Sequence, residues 1–206
     1  MTKDSKYLFA TATTKGIKIF DCTNGDLLAE LDIPGIYVKQ VELSYSDKQF
    51  AVIYEAKVSQ YQRDSFIRVF NTQDALEWGK QKGAPQHAFE VKGPKDHQIN
   101  CVKWGALDKT LYYCTDGGRL LRYDIGQGKV IKAQDVNKHE IFTISITRDF
   151  TMLTTASRDG TSKLLHPETF DEIRSFEFKF PCRNAQISPL FESKDQQKFH
   201  ILLCGG

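Results

Sequence analysis

Residues 155–166 read TASRDGTSKLLH. The run TMLTTAS ending at Ser157 and the run TSKLLH starting at Thr161 are both strand-like, and Arg158-Asp159-Gly160 between them has turn composition. The stretch therefore predicts a hairpin at the end of a module built from small antiparallel sheets. The second strand closes on Leu165-His166, a bulky apolar residue followed by a polar one. The same stretch offers a second reading. Ser157 and Asp159, with His139 upstream, are the residue types of a nucleophilic triad. The rest of the chain decides between a repeat and a reactive site.

Outward from this hairpin the chain reads as short strands. Examples are YLFATA (7–12), GIKIFD (16–21), VKQVELS (38–44), QFAVIYE (49–55), SFIRVFN (65–71), INCVKWG (99–105), TLYYCT (110–115), GRLLRYD (118–124) and IFTISIT (141–147). They are rich in β-branched and aromatic residues and are bounded by Gly, Asp, Asn, Lys and Pro. The stretch TQDALEWGKQ (72–81) has room for one helical turn. Four strands end alike: IKIFD at 21, IRVFN at 71, LLRYD at 124 and SKLLH at 166. The intervals are 50, 53 and 42 residues, and a four-stranded propeller blade takes roughly 40–45. The two long intervals carry polar insertions, EAKVSQYQRD (55–64) and TQDALEWGKQKGAPQ (72–86), as surface loops would be. A finer register repeats as well. His97 precedes Thr115 by 18 residues, and His139 precedes Ser157 by 18.

Composition narrows the function. Of 206 residues, 40% are apolar and 26% charged, enough for one sizeable core. The net charge of +2 gives no overall electrostatic footprint for nucleic acid or an anionic membrane. Apolar runs such as TLYYC are too short to span a bilayer, and the N-terminal stretch has no apolar run of signal-peptide length. The cysteines, Cys22, Cys101, Cys114, Cys182 and Cys204, are odd in number and widely spaced, without a C-x-x-C pair. That argues against a disulfide framework and a zinc site, and for reduced, mostly buried thiols.

The stretch SRDGTSKLLH with upstream His139 resembles the WD-repeat pattern of His, then Ser-x-Asp-x-Thr, then a strand ending in Trp-Asp. The resemblance implies a structural network in which His139, Ser157 and Asp159 tie strands of one blade, with His97 and Thr115 in the blade before. The pattern is incomplete here. Leu165 stands at the Trp position and His166 at the closing Asp, and Gly117 aligns with Asp159. The other blades close on Phe20-Asp21, Phe70-Asn71 and Tyr123-Asp124. The triad reading is the weaker one. Ala156 and Arg158 flank the serine, so there is no G-x-S-x-G elbow and no Gly-rich oxyanion loop. There is no phosphate-binding loop, H-E-x-x-H or dinucleotide fingerprint either.

The match goes beyond the generic repeat. FDCTNGDLLAEL (20–31), VKWGALDKTLYYCTDGGRLLRYDIGQGKVI (102–131) and ITRDFTMLTTASRDGTSKLLHPETFDEIRSF (146–176) resemble the family of WD-repeat subunit i of eukaryotic translation initiation factor 3. LLCGG (202–206) is similar to that family's passage into its next blade. The resemblance implies an all-β fold, with about four to five blades of a seven-bladed WD-repeat β-propeller in one domain spanning residues 1–206, incomplete at both ends. It also implies a cytoplasmic, non-catalytic scaffold without cofactor or metal. Its partners would be the b and g subunits and the 40S pre-initiation complex, supporting recruitment of messenger RNA and initiator tRNA, with no specific nucleic-acid binding of its own and no membrane. In a blade, the first and third turns share one rim, which draws Arg148, Asp149 and His166 together as a candidate partner-contact surface. The rival readings are a receptor-associated WD-repeat signalling adaptor, which shares the fold, and a β-sheet enzyme, which needs a titratable cluster in one pocket.

Overall fold

The computed structural model of the chain describes residues 2, 6–12, 16–31, 36–57, 63–78, 86–188 and 201–205. Among them the regular structure is antiparallel β-sheet, apart from one short helix and a 3-10 turn. Strands β1 (Tyr7–Ala12), β2 (Gly16–Asp21) and β3 (Leu27–Leu31) form the first sheet. The second holds β4 (Ile36–Leu43), β5 (Gln49–Lys57), β6 (Arg63–Asn71) and β7 (Phe89–Lys92). The third holds β8 (Ile99–Trp104), β9 (Thr110–Thr115), β10 (Arg119–Asp124) and β11 (Lys129–Asp135). The fourth holds β12 (Ile141–Ile146), β13 (Leu153–Ser157), β14 (Thr161–Leu165) and β15 (Glu172–Glu177). The fifth pairs β16 (Cys182–Ile187) with β17 (Ile201–Gly205).

Every sheet runs in chain order, so each is a meander of hairpins. The repeated endings of the sequence fall at one place in it. Asp21, Asn71, Asp124 and Leu165 each end the strand next to the last of their sheet. The helix α1 (Thr72–Trp78) follows β6 directly and is longer than the single turn expected there. The remainder of that insertion, 79–85, and residues 58–62 of the other lie outside the described residues, as do Gly206 and the side chains of β17.

The chain gathers into two compact units, residues 1–98 and 99–206. In the first, Ile17, Ile19 and Leu31 of one sheet pack with Phe50, Val52, Tyr54 and Phe70 of the next, and Ala75 of α1 joins them. Phe50 stacks on Phe70 with centroids 5.4 Å apart and meets Phe9 at 4.9 Å, arrangements that add to the burial of the rings themselves. In the second unit, Cys114, Leu120 and Tyr112 of the third sheet pack with Ile141, Ile144, Leu153, Leu165 and Phe170 of the fourth. Middle strands lie between two neighbours and two faces, so β9 and β13 are buried along their whole length. The last strand of a sheet is a free edge, and β11 is largely exposed.

Register fixes which loops share an end of a sheet. In the fourth sheet Ile146, Leu153 and Leu165 are cross-strand partners in a row, and Leu165 pairs with Glu172. Turns 147–152 and 166–171 therefore stand at one end. Ile141 opposite Ser157 and Thr161 opposite Glu177 mark the other end, where turn 158–160 lies.

Candidate functional site

Turn 158–160 is the hub of a polar lattice. Gly160 has φ +80°, the left-handed conformation that lets the hairpin close without a side chain. Asp159 then faces three donors. Its Oδ2 accepts the Lys138 N–H at 2.7 Å, and its Oδ1 accepts the Thr161 N–H at 2.8 Å and the Thr161 hydroxyl at 2.6 Å. Burial pushes the Asp159 carboxyl up, but these hydrogen bonds outweigh it and hold it below the ordinary carboxylate value. The Ser157 hydroxyl is fully buried and donates to the backbone carbonyl of His139 at 3.2 Å.

The histidine expectation needs correction at this point. The side chain of His139 is exposed, and only its backbone carbonyl enters the lattice. The buried polar side chain in this place is Asn137, 7% exposed. Its Oδ1 accepts the Thr155 hydroxyl at 3.0 Å, and its Nδ2 donates to the Thr161 hydroxyl at 2.9 Å. The physical reason is strand alternation. Thr155 and Ser157 lie on the same face, so Asn137 stands 18 residues before its hydroxyl partner, just as His139 does before Ser157. In the preceding sheet His97 is exposed too. Thr115 is buried and closes its own hairpin, accepting the Arg119 N–H at 3.3 Å. Gly117 there brings no carboxylate to match Asp159. With a backbone carbonyl rather than an imidazole on its hydroxyl, Ser157 has no general base in reach along this contact.

The chemistry of the lattice predicts an acid limb to stability. A carboxyl held below its ordinary value of 3.8 in the fold stabilises the fold fully above that value, and the contribution is lost as pH falls through the lower folded value. Asp159→Ala is expected to cost about 1–3 kcal/mol near neutral pH, the usual penalty for unsatisfied partners. Denaturant melts of wild type and variant should keep that gap above pH 3.8 and narrow it only as pH falls below that value, through the lower folded one. A gap independent of pH would take the carboxylate out of the lattice.

At the opposite end, three of the closing polar residues cap the turns that follow them. Asp21 Oδ1 accepts the Thr23 N–H at 2.8 Å, and Asp124 Oδ1 accepts the Gln127 N–H at 2.8 Å. His166 does the same with its ring, Nδ1 accepting the Glu168 N–H at 3.3 Å. A histidine thus serves where the repeat pattern has aspartate. Leu165, at the Trp position, is 1% exposed within the shared core. Arg148, Asp149 and His166 are exposed at this same end. Asp149 Oδ1 accepts both the N–H (3.1 Å) and the hydroxyl (2.8 Å) of Thr151, so it also shapes its own turn.

Of the described cysteines, Cys101, Cys114 and Cys182 are buried and Cys22 is exposed. Among the described residues no three His, Cys, Asp or Glu side chains gather as a metal site, and no helix is long and apolar enough to cross a membrane.

Meanders of up to four strands, with the same closing strand in four sheets and a turn-capping side chain after it in three, are consistent with part of a WD-repeat β-propeller. No family model matches the chain. Curated relatives do, and they share one name, eukaryotic translation initiation factor 3 subunit I. The relative from Bombyx mori is 27% identical over 189 residues, covering 92% of this chain and 53% of its own length. Those from Brugia malayi and Bos taurus are 25% and 24% identical, each covering 98% of this chain and 58% of the relative. The chain spans somewhat more than half the length of the curated relatives it matches.

Proposed function

We propose that this chain acts in eukaryotic translation initiation as a non-catalytic, cytoplasmic WD-repeat scaffold. Its partners in this reading are the b and g subunits of initiation factor 3 and, through them, the 40S pre-initiation complex that recruits messenger RNA and initiator tRNA. The observation that supports it is the shared name of relatives aligned with 92–98% of the chain across distant species. The buried lattice of Asn137, Ser157 and Asp159 supports a structural use of those side chains. A single domain over residues 1–206, as consecutive blades of a seven-bladed ring, belongs to the same proposal.

Arg148, Asp149 and His166 form the partner-contact rim in this reading. Asp149→Lys is expected to weaken binding of the purified C-terminal segment of the b-type partner about tenfold, or about 1.4 kcal/mol. The same change removes a turn acceptor, at about 1 kcal/mol or less for an exposed group. Asp149→Asn keeps an acceptor at Oδ1 and removes only the charge. Titrations of both variants, with melts as folding controls, test the rim. Wild-type affinity in a folded Asp149→Lys chain would move the docking site elsewhere.

A further inference from the structure

The third sheet carries a row of cations across its strands. Lys103 on β8 is the cross-strand partner of Tyr112 on β9, Tyr112 of Arg122 on β10, and Arg122 of Lys132 on β11. Direct partners share a face, so Lys103, Arg122 and Lys132 line the same one. That face looks toward the fourth sheet. The Tyr112 ring meets Phe170 there at 6.4 Å, and the Arg122 guanidinium lies over the Tyr112 ring at 5.9 Å. Lys103, Arg122 and Lys132 are each half-buried. Arg122 and Lys132 are direct cross-strand partners, and like charges so placed destabilise a sheet unless something neutralises them.

Arg122 is the informative member. Its side chain is only 20% exposed, and its buried Nε has no acceptor. Its Nη2 reaches Glu168 at 3.6 Å, a carboxylate that is itself 68% exposed. On β14, Lys163 is taken by Glu172 at 2.9 Å. A mostly buried guanidinium with an open donor and one distant, solvated carboxylate is an unfinished anion site.

We propose that this row seats an acidic segment of a partner protein, lying between the third and fourth sheets with carboxylates on alternate residues. With strands about 4.8 Å apart, Arg122 and Lys132 are one spacing apart and Lys103 and Arg122 two, within side-chain reach of carboxylates about 7 Å apart on an extended peptide. Glu168 stands beside the row. A nucleic-acid backbone, charged at every nucleotide, meets that carboxylate. A peptide places its charges only where the cations are. The site is independent of which scaffold the chain serves.

The test uses the full 206-residue chain and fluorescence anisotropy with a labelled (Glu-Ser)3 peptide, its (Gln-Ser)3 counterpart and a uridine octamer. Binding of (Glu-Ser)3 is expected, weakened at least tenfold by Arg122→Gln and at least threefold by Lys132→Gln, and tightened by Glu168→Gln. Lys132 lies on the exposed outer strand, so its variant decides the matter where Arg122→Gln fails to fold. No binding of (Glu-Ser)3, equal binding of (Gln-Ser)3, or (Glu-Ser)3 binding unchanged in folded Lys132→Gln, overturns the proposal. So does tighter binding of the uridine octamer with the same mutational pattern, which reassigns the row to nucleic acid.

Discussion

Gly118→Ala is expected to unfold or severely destabilise the second unit, by at least about 3 kcal/mol. Gly118 closes the β9–β10 hairpin at φ +80°. A Cβ there would lie 2.2 Å from the carbonyl oxygen of Asn137 and 2.9 Å from that of His139. Both are backbone atoms of the segment leading into the next sheet, so no side-chain rotation relieves the clash. The Gly118 carbonyl also accepts the N–H groups of Val136 and Asn137 at 3.1 and 3.2 Å. Displacing it therefore disturbs the entry to β12 and the Asn137 lattice together. Gly160 repeats the arrangement one sheet on, where a Cβ would meet the Phe178 carbonyl at 2.7 Å. Gly25 is the internal control. It has φ +78° with nothing within 4 Å of a Cβ, so Gly25→Ala bears only the left-handed penalty of about 1–2 kcal/mol. Urea melts of the two variants separate the terms. Equal losses would mean that the hairpin does not pack on the inter-sheet segment.

Leu165→Ala is the second large effect, expected at about 2–5 kcal/mol for a buried leucine whose neighbours only partly collapse. Leu165 is 1% exposed among Leu153, Ile144, Phe170 and Tyr112. The informative companion is Leu165→Trp, which restores the residue of the repeat pattern. The core has closed around leucine, so the larger ring is expected to cost about 1–3 kcal/mol through overpacking. A stabilising Leu165→Trp would show a cavity kept at the place of the missing indole. Together the two substitutions answer the question raised by the closing Leu-His pair: the leucine has taken over the packing role and His166 the turn cap.

The inner strands were legible because burial on both faces writes apolar and β-branched residues into them. TLYYCT and LTTAS are buried throughout, and both lie within strands expected from the sequence. The outer strands were not. KVIKAQD of β11 exposes Lys129, Val130, Ile131, Ala133 and Asp135, so no alternation survives to mark it, and β15 is largely exposed too; β3 and β7 do alternate but are only five and four residues long. In the fourth sheet the 18-residue spacing to a strand hydroxyl joins Ser157 to the backbone carbonyl of His139, while the side-chain pair at that spacing is Asn137 and Thr155. Histidine draws attention because it titrates, yet Asn137, two residues earlier, holds the buried hydroxyl of Thr155. The cue was present in the sequence, since Thr155 is also a hydroxyl residue, two before Ser157 on a strand of period two. The cation row of the third sheet was invisible because its members are 103, 122 and 132, joined only by register.

Affinity capture tests the central claim most directly. The tagged chain is incubated with eukaryotic cytosol, washed at physiological salt and its bound proteins quantified by mass spectrometry, with Gly118→Ala as the misfolded control. A translation-initiation scaffold is expected to enrich initiation factor 3 subunits, the b and g types foremost, along with 40S ribosomal proteins, and to lose them in the control. Enrichment of signalling receptors or kinases without any component of initiation factor 3 would contradict it.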